Sequence, residues 1–151
     1  EGAAPPGSIK LESGSKSKFK LSISSSSLIV GADLATPYTT QSTEDNKQDL
    51  RINATQTTRL EEEMDRLNLD LLPLSNFILP GGAAPSAYLH QARTVCRRAE
   101  RVCVALEVEH KLNKNALVYL NRLSDFLFVA ARWCNNQGQT DVLWVPGSNR
   151  K

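Results

Sequence analysis

Three arginines, Arg93, Arg97 and Arg101, recur at intervals of four, with Arg98 beside them and Glu100 on the flank. On a helix that spacing stacks the guanidinium groups along one stripe. Such a stripe suits a polyanion, because the planar fork offers paired donors to phosphate and its charge does not titrate away. Spacing alone fits a solvated basic face with glutamate partners slightly better than a phosphate cradle. A nucleic-acid contact is a weaker third reading, since no aromatic residues interleave the arginines. A second set, Asn121, Asp125, Phe128 and Arg132, falls on one face by the same geometry. Here Asn121 is suited to hydrogen-bond a nucleotide and Asp125 to orient an arginine of the neighbouring helix. A satisfied polar network between helices explains the stripe equally well.

Other candidates resolve more simply. Cys96, Cys103 and Cys134 form no Cys-x-x-Cys pair and no even set, and read as buried thiols in a reducing compartment. With only His90 and His110 to join them, a zinc site is not expected. His90 reads as a helix-surface histidine, His110 as a helix-end one, and Phe77 as a core anchor. Asn53-Ala54-Thr55 matches a glycosylation acceptor by chance. There is no Walker loop, dinucleotide fingerprint or nucleophile elbow.

The elements that must position these residues follow from periodicity. Ile52, Leu60, Met64, Leu67 and Leu71 share a helical face, which Pro73 ends, and the acidic run at Glu61 to Glu63 is its solvated side. Phe77 to Gly82 is a turn. Pro85 opens a long helix whose seam runs through Leu89, Ala92, Cys96, Ala99, Cys103 and Leu106. Asn113 or Asn115 caps the next helix, which carries its own seam at Leu120, Leu123, Leu127, Ala130 and Cys134 and stops before Gly138. Val142 to Val145 is an apolar tail that packs back. Leu28 to Ala35 is a short apolar segment stopped at Thr36-Pro37, followed by a polar loop through Gln48. The stretch 1–27, rich in Gly, Pro, Ser and Lys, reads as low complexity and disordered, leaving 28–151 as one all-α, antiparallel helical bundle domain.

A chain of 151 residues, 40% hydrophobic, is long enough for such a core. Its net charge of +2, spread thinly, argues against wrapping nucleic acid. No apolar run of about 20 residues is present to cross a membrane, and Glu1 to Lys20 lacks the apolar core of a secretory signal.

In order along the chain, Phe77-Ile78-Leu79-Pro80-Gly81-Gly82, Leu89-His90-Gln91-Ala92-Arg93, Arg97-Arg98-Ala99-Glu100-Arg101 and Tyr119-Leu120-Asn121-Arg122-Leu123-Ser124-Asp125-Phe126-Leu127-Phe128 resemble motifs of the PduO-type ATP:cob(I)alamin adenosyltransferases. The resemblance runs from about Leu28 to Trp144. It implies a five-helix, ferritin-like bundle forming a homotrimer, with ATP, its Mg2+ and the corrinoid bound between subunits, in the bacterial cytoplasm or the mitochondrial matrix. The implied reaction is attack by reduced cobalt on the 5′ carbon of ATP, so the protein positions and neutralises charge but supplies no nucleophile. By the same resemblance Arg97, Arg98, Glu100, Arg101 and Asn121 contact ATP. Phe77 lies under the corrin ring, where it disfavours a lower axial ligand. Arg93 pairs with an acid of the neighbouring subunit, and Asp125 supports the second motif.

The departure is at the amino terminus. The family's Thr-, Gly- and Asp-rich loop and its first helix with an Asp-Glu pair are not found in Glu1 to Ser27, where Ser13-Gly14-Ser15-Lys16 is a poor substitute and Phe19, Leu21 and Ile23 alternate like a strand. An impaired bundle that binds corrinoid or nucleotide, or serves assembly, is therefore the alternative to a working transferase.

Overall fold

The computed structural model describes residues 25–36 and 50–147. They form four helices, α1 (25–35), α2 (Ala54–Asn68), α3 (Ala84–Leu106) and α4 (Lys114–Cys134). The loop expected through Gln48, the Ser13 to Lys16 stretch and the alternation of Phe19, Leu21 and Ile23 lie outside the described residues.

Each helix forms for a local reason. In α1, Ser26, Val30 and Asp33 fall on one buried face, and Thr36 closes the end by donating its hydroxyl to the Ala32 carbonyl at 2.8 Å. This helix reaches back to Ser25, inside the stretch read as low complexity. Asn53 caps α2, accepting from the Thr55 amide at 2.9 Å while Gln56 accepts from the Asn53 amide at 3.1 Å. That pair of bonds satisfies two amides a bare helix start leaves orphaned. Asn113 caps α4 in the same manner, accepting from the Asn115 amide at 3.0 Å.

α4 is the hub. It packs against both α2 and α3, and its Tyr119, Leu120 and Phe126 meet Val30, Ile52, Leu60, Met64, Leu67, Cys96 and Cys103 in one core cluster. Its amino end is tied by Asp33, whose side chain is almost fully buried. One Asp33 oxygen takes Arg51 at 2.8 Å; the other accepts from the Ile52 amide at 2.8 Å and the Asn113 side-chain amide at 2.7 Å. Three segments far apart in sequence thus meet on one carboxylate.

Three sequence expectations shift. α2 stops at Asn68, short of Pro73, because the amides of Asp70 and Leu71 fold back on Leu67 and Asn68 while Leu72 donates to Gln137 at 3.1 Å and is drawn across to the end of α4. Phe77 to Gly82 begins as extended chain, with Ile78 bridged antiparallel to Leu143. The seam of α3 is also rotated. Ser86, His90, Cys96 and Cys103 are its buried residues, whereas Ala92 and Leu106 face outward. The Cys96 thiol, common to the expected and the observed face, donates to the Leu120 carbonyl at 3.2 Å.

Removing the Asp33 carboxylate strands Arg51, the Ile52 amide and Asn113 together. Asp33→Ala is expected to lower stability by about 2–4 kcal/mol, below the full effect of breaking a buried pair because Arg51 keeps some water. Urea unfolding of the two proteins measures it, and a loss under about 1 kcal/mol contradicts the assignment.

Candidate functional site

Glu100 joins the two motif-bearing helices. One of its oxygens accepts from Arg97 at 2.7 Å, one turn earlier on α3. The other accepts from the Asn121 amide of α4 at 2.8 Å. Arg97 is thereby braced by an ion pair, and the bond to Asn121 links α3 to α4. Arg98 and Arg101 are exposed, and neither makes an ion pair among the described residues. The result is a wall of guanidinium groups, one braced and two open to solvent, suited to an anion of several charges.

Arg93 leaves that wall. It lies half-buried with its guanidinium 5.0 Å from the centre of the Phe128 ring, and its Nε has no acceptor among the described residues. His90, one turn before it, is 2% exposed and edge-on to the same ring at 6.2 Å. The expectation of a surface histidine is wrong: the turn of α3 that faces α4 includes His90, and its ring fills the space beside Phe128. Burial, then the charge of Arg93, lowers its pKa from 6.5, with Asp141 opposing.

Asp125 also departs from expectation. Its carboxylate accepts from Arg122 of its own helix at 3.1 Å rather than from an arginine of α3, because Arg122 lies one turn away and also reaches Glu61 of α2 at 3.0 Å. Phe77 is no core anchor. It is 76% exposed, since its segment is pulled to the surface by pairing with the tail: Trp144 donates to the Phe77 carbonyl at 2.9 Å, and Leu79 to Val142 at 2.7 Å.

That pairing depends on a buried knot that sequence reasoning missed. Arg132, 5% exposed, places Nε 2.8 Å from Asp141 and donates to the Leu72 carbonyl at 2.7 Å. Asn135, fully buried, donates to Asp141 and to Gly81 at 3.2 Å each and accepts from the Ala83 amide at 3.0 Å, so it ties down the residue that precedes α3. Gly82, at φ +94, leaves room for Asn135, against which any Cβ would collide. The available signals were the Asn135-Asn136-Gln137-Gly138 run, whose last three residues all adopt positive φ, and an acid shortly after Arg132 of the polar stripe.

The cysteines are free. Burial, with Glu100 adding, pushes Cys96 up to about 11, so it is a packing thiol and not a nucleophile. Among the described residues no three His, Cys, Asp or Glu side chains converge as metal ligands, and no helix is long and apolar enough to cross a membrane.

Comparison with known proteins gives a consistent picture. A family model described as cobalamin adenosyltransferase matches residues 10–134. The corrinoid adenosyltransferase of Mycobacterium leprae is 46% identical over 119 residues, covering 78% of this chain and 61% of the relative. The cobalamin adenosyltransferase of Cupriavidus metallidurans is 49% identical over 94 residues, 62% of this chain and 51% of the relative. The chain thus spans about three fifths or less of the length of these relatives. Among solved structures, a phenylalanine-to-histidine variant of the PduO-type ATP:corrinoid adenosyltransferase from Lactobacillus reuteri, complexed with cobalamin and ATP, superposes with a TM-score of 0.74 at 35% identity, covering 92% of this chain and 73% of that one.

The buried histidine makes stability depend on acid. Above pH 6.5, the ordinary value, His90 is neutral folded and unfolded alike. As pH falls below it, the unfolded chain takes up a proton that the folded chain refuses, so stability drops until the lower folded pKa is reached, by up to about 1.4 kcal/mol per pH unit. His90→Leu is expected to flatten that part of the profile in urea unfolding between about pH 7 and pH 5. An unchanged slope contradicts it.

Proposed function

Because the chain belongs to the cobalamin adenosyltransferase family, we propose that it transfers the 5′-deoxyadenosyl group of ATP to the cobalt of reduced cobalamin, releasing triphosphate. The observation that carries this reading is the Asn121 to Glu100 hydrogen bond, which joins the two nucleotide motifs, 21 positions apart, into one surface. In the reaction the cobalt electron pair forms the bond to the 5′ carbon, and the carbon–oxygen bond breaks with its pair going to triphosphate. Negative charge therefore grows on the phosphate side, where Arg97, Arg98 and Arg101 stand. Asn121 contacts the nucleotide and Glu100 keeps Arg97 aimed. Mg2+ would arrive with ATP and would neutralise part of the phosphate charge. Phe77, exposed at the end of the bundle, offers an apolar ring to the corrin face.

A homotrimer fits the surface of α3. Tyr88, Ala92, Val95, Ala99, Val102 and Leu106 alternate spacings of four and three on a face that α4 does not cover, with Tyr88 72% and Val102 62% exposed. That is the pattern of a helix seam awaiting another helix, here from a second copy. Arg93, turned toward Phe128 of α4, has no acid partner among the described residues, and an acid of a second copy is its proposed partner. Asp125 supports the second motif through Arg122. The three free cysteines suit a reducing compartment, the bacterial cytoplasm or the mitochondrial matrix.

The test is anaerobic incubation with ATP and chemically reduced cobalamin, following the spectrum of the adenosyl product, with sedimentation at the assay concentration. The chain is expected to form product as a trimer. Arg97→Ala should lower kcat/KM by about 10- to 150-fold, the loss of one charge-assisted bond. No product, or an Arg97→Ala protein as fast as the parent, sinks the reading.

A further inference from the structure

Phe77 and Trp144 occupy directly opposite positions on two paired segments, because the Ile78 to Leu143 bridge is antiparallel. Their rings meet edge to face, 6.1 Å apart at 85°. The backbone around them is fastened from both sides. Besides the Trp144 amide bonded to the Phe77 carbonyl, the Trp144 carbonyl accepts from the Asn76 side chain at 2.8 Å, and that same side chain accepts from the Phe77 amide at 2.7 Å. The tail reaches this position through Asp141, held in the buried knot with Arg132 and Asn135.

Two large aromatic rings, 76% and 42% exposed, bury too little to be explained as core. A lone exposed Phe samples several rotamers and must lose that freedom on meeting a flat ligand. An edge-on Trp opposite it removes part of the freedom in advance. We infer that Trp144 is a positioning residue that holds the Phe77 ring in the orientation the corrin face requires. The inference rests on the reading of Phe77 as the corrin-facing residue. It makes the carboxyl-terminal tail part of the corrinoid site, acting through Phe77, and assigns it no role toward ATP.

The test compares the full chain with Phe77→Ala, Trp144→Ala, Trp144→Phe and the double alanine variant. For each, KM for reduced cobalamin and for ATP are measured separately. The spectrum of Co(II) cobalamin with ATP present then reports the fraction that has lost its lower axial ligand. Trp144→Ala is expected to raise the corrinoid KM by about 2- to 10-fold, as befits one aromatic pair. The ATP KM should stay constant, and the fraction without the lower ligand should fall. Trp144→Phe should recover most of both effects, and the double variant should be no worse than Phe77→Ala. Trp144→Ala matching the parent while Phe77→Ala is impaired overturns the role of Trp144 alone. So does an equal rise in both KM values, or a Trp144→Phe protein no better than the alanine variant. A Phe77→Ala protein with parental corrinoid KM and spectrum instead removes the reading of Phe77 itself.

Discussion

A buried carboxylate closes each end of α4, and the placement of every other described element follows from that constraint. A charge taken out of water must be paired and hydrogen-bonded or the fold loses several kcal/mol. Asp33 and Asp141 meet the demand by drawing in distant groups: Arg51, the Ile52 amide and Asn113 around the first, Arg132 and Asn135 around the second. The apolar core between them supplies most of the stabilisation but is tolerant of small slips. The two polar knots are not tolerant, because a shift of one residue would leave a buried donor or charge unpaired.

That intolerance reaches the functional surface. Asn135 holds the residue that precedes α3 by accepting from the Ala83 amide, and Cys96, on the buried face of α3, meets the Leu120 carbonyl. On the same side of α3, Glu100 meets Asn121 of α4, and Arg97 is held by the same carboxylate. The second knot also sends the tail back over Phe77. One buried pair therefore positions both proposed substrate surfaces, the arginine wall by way of α3 and the exposed ring by way of the tail.

The helical bundle was legible in the sequence, because periodicity and capping residues are local signals. Asn113 caps as its type suggests, and Leu60, Met64 and Leu67 are buried along α2 as the periodicity predicts, while Ile52 and Leu71 fall outside that helix. The four ordered motifs carried the family. What was not legible depended on partners far along the chain. His90 and Phe77 exchanged places between surface and interior, since nothing near a histidine on a helix, or a phenylalanine before a turn, records which side another segment will cover. Asp33 and Asp141 read as ordinary polar residues until the segments they join are seen together. The bond between Glu100 and Asn121 was also hidden, because helix spacing aligns residues within each element and leaves their mutual register open.

In the proposed reaction the guanidinium wall of α3 receives the triphosphate of ATP, and competition measures that directly. Calorimetric titration of ATP into the protein, repeated with inorganic tripolyphosphate and then with adenosine present, separates the two halves of the ligand. Tripolyphosphate is expected to displace ATP in the parent protein and to lose most of that ability in Arg97→Ala, with adenosine the poorer competitor. Displacement by adenosine with no effect of tripolyphosphate would contradict it.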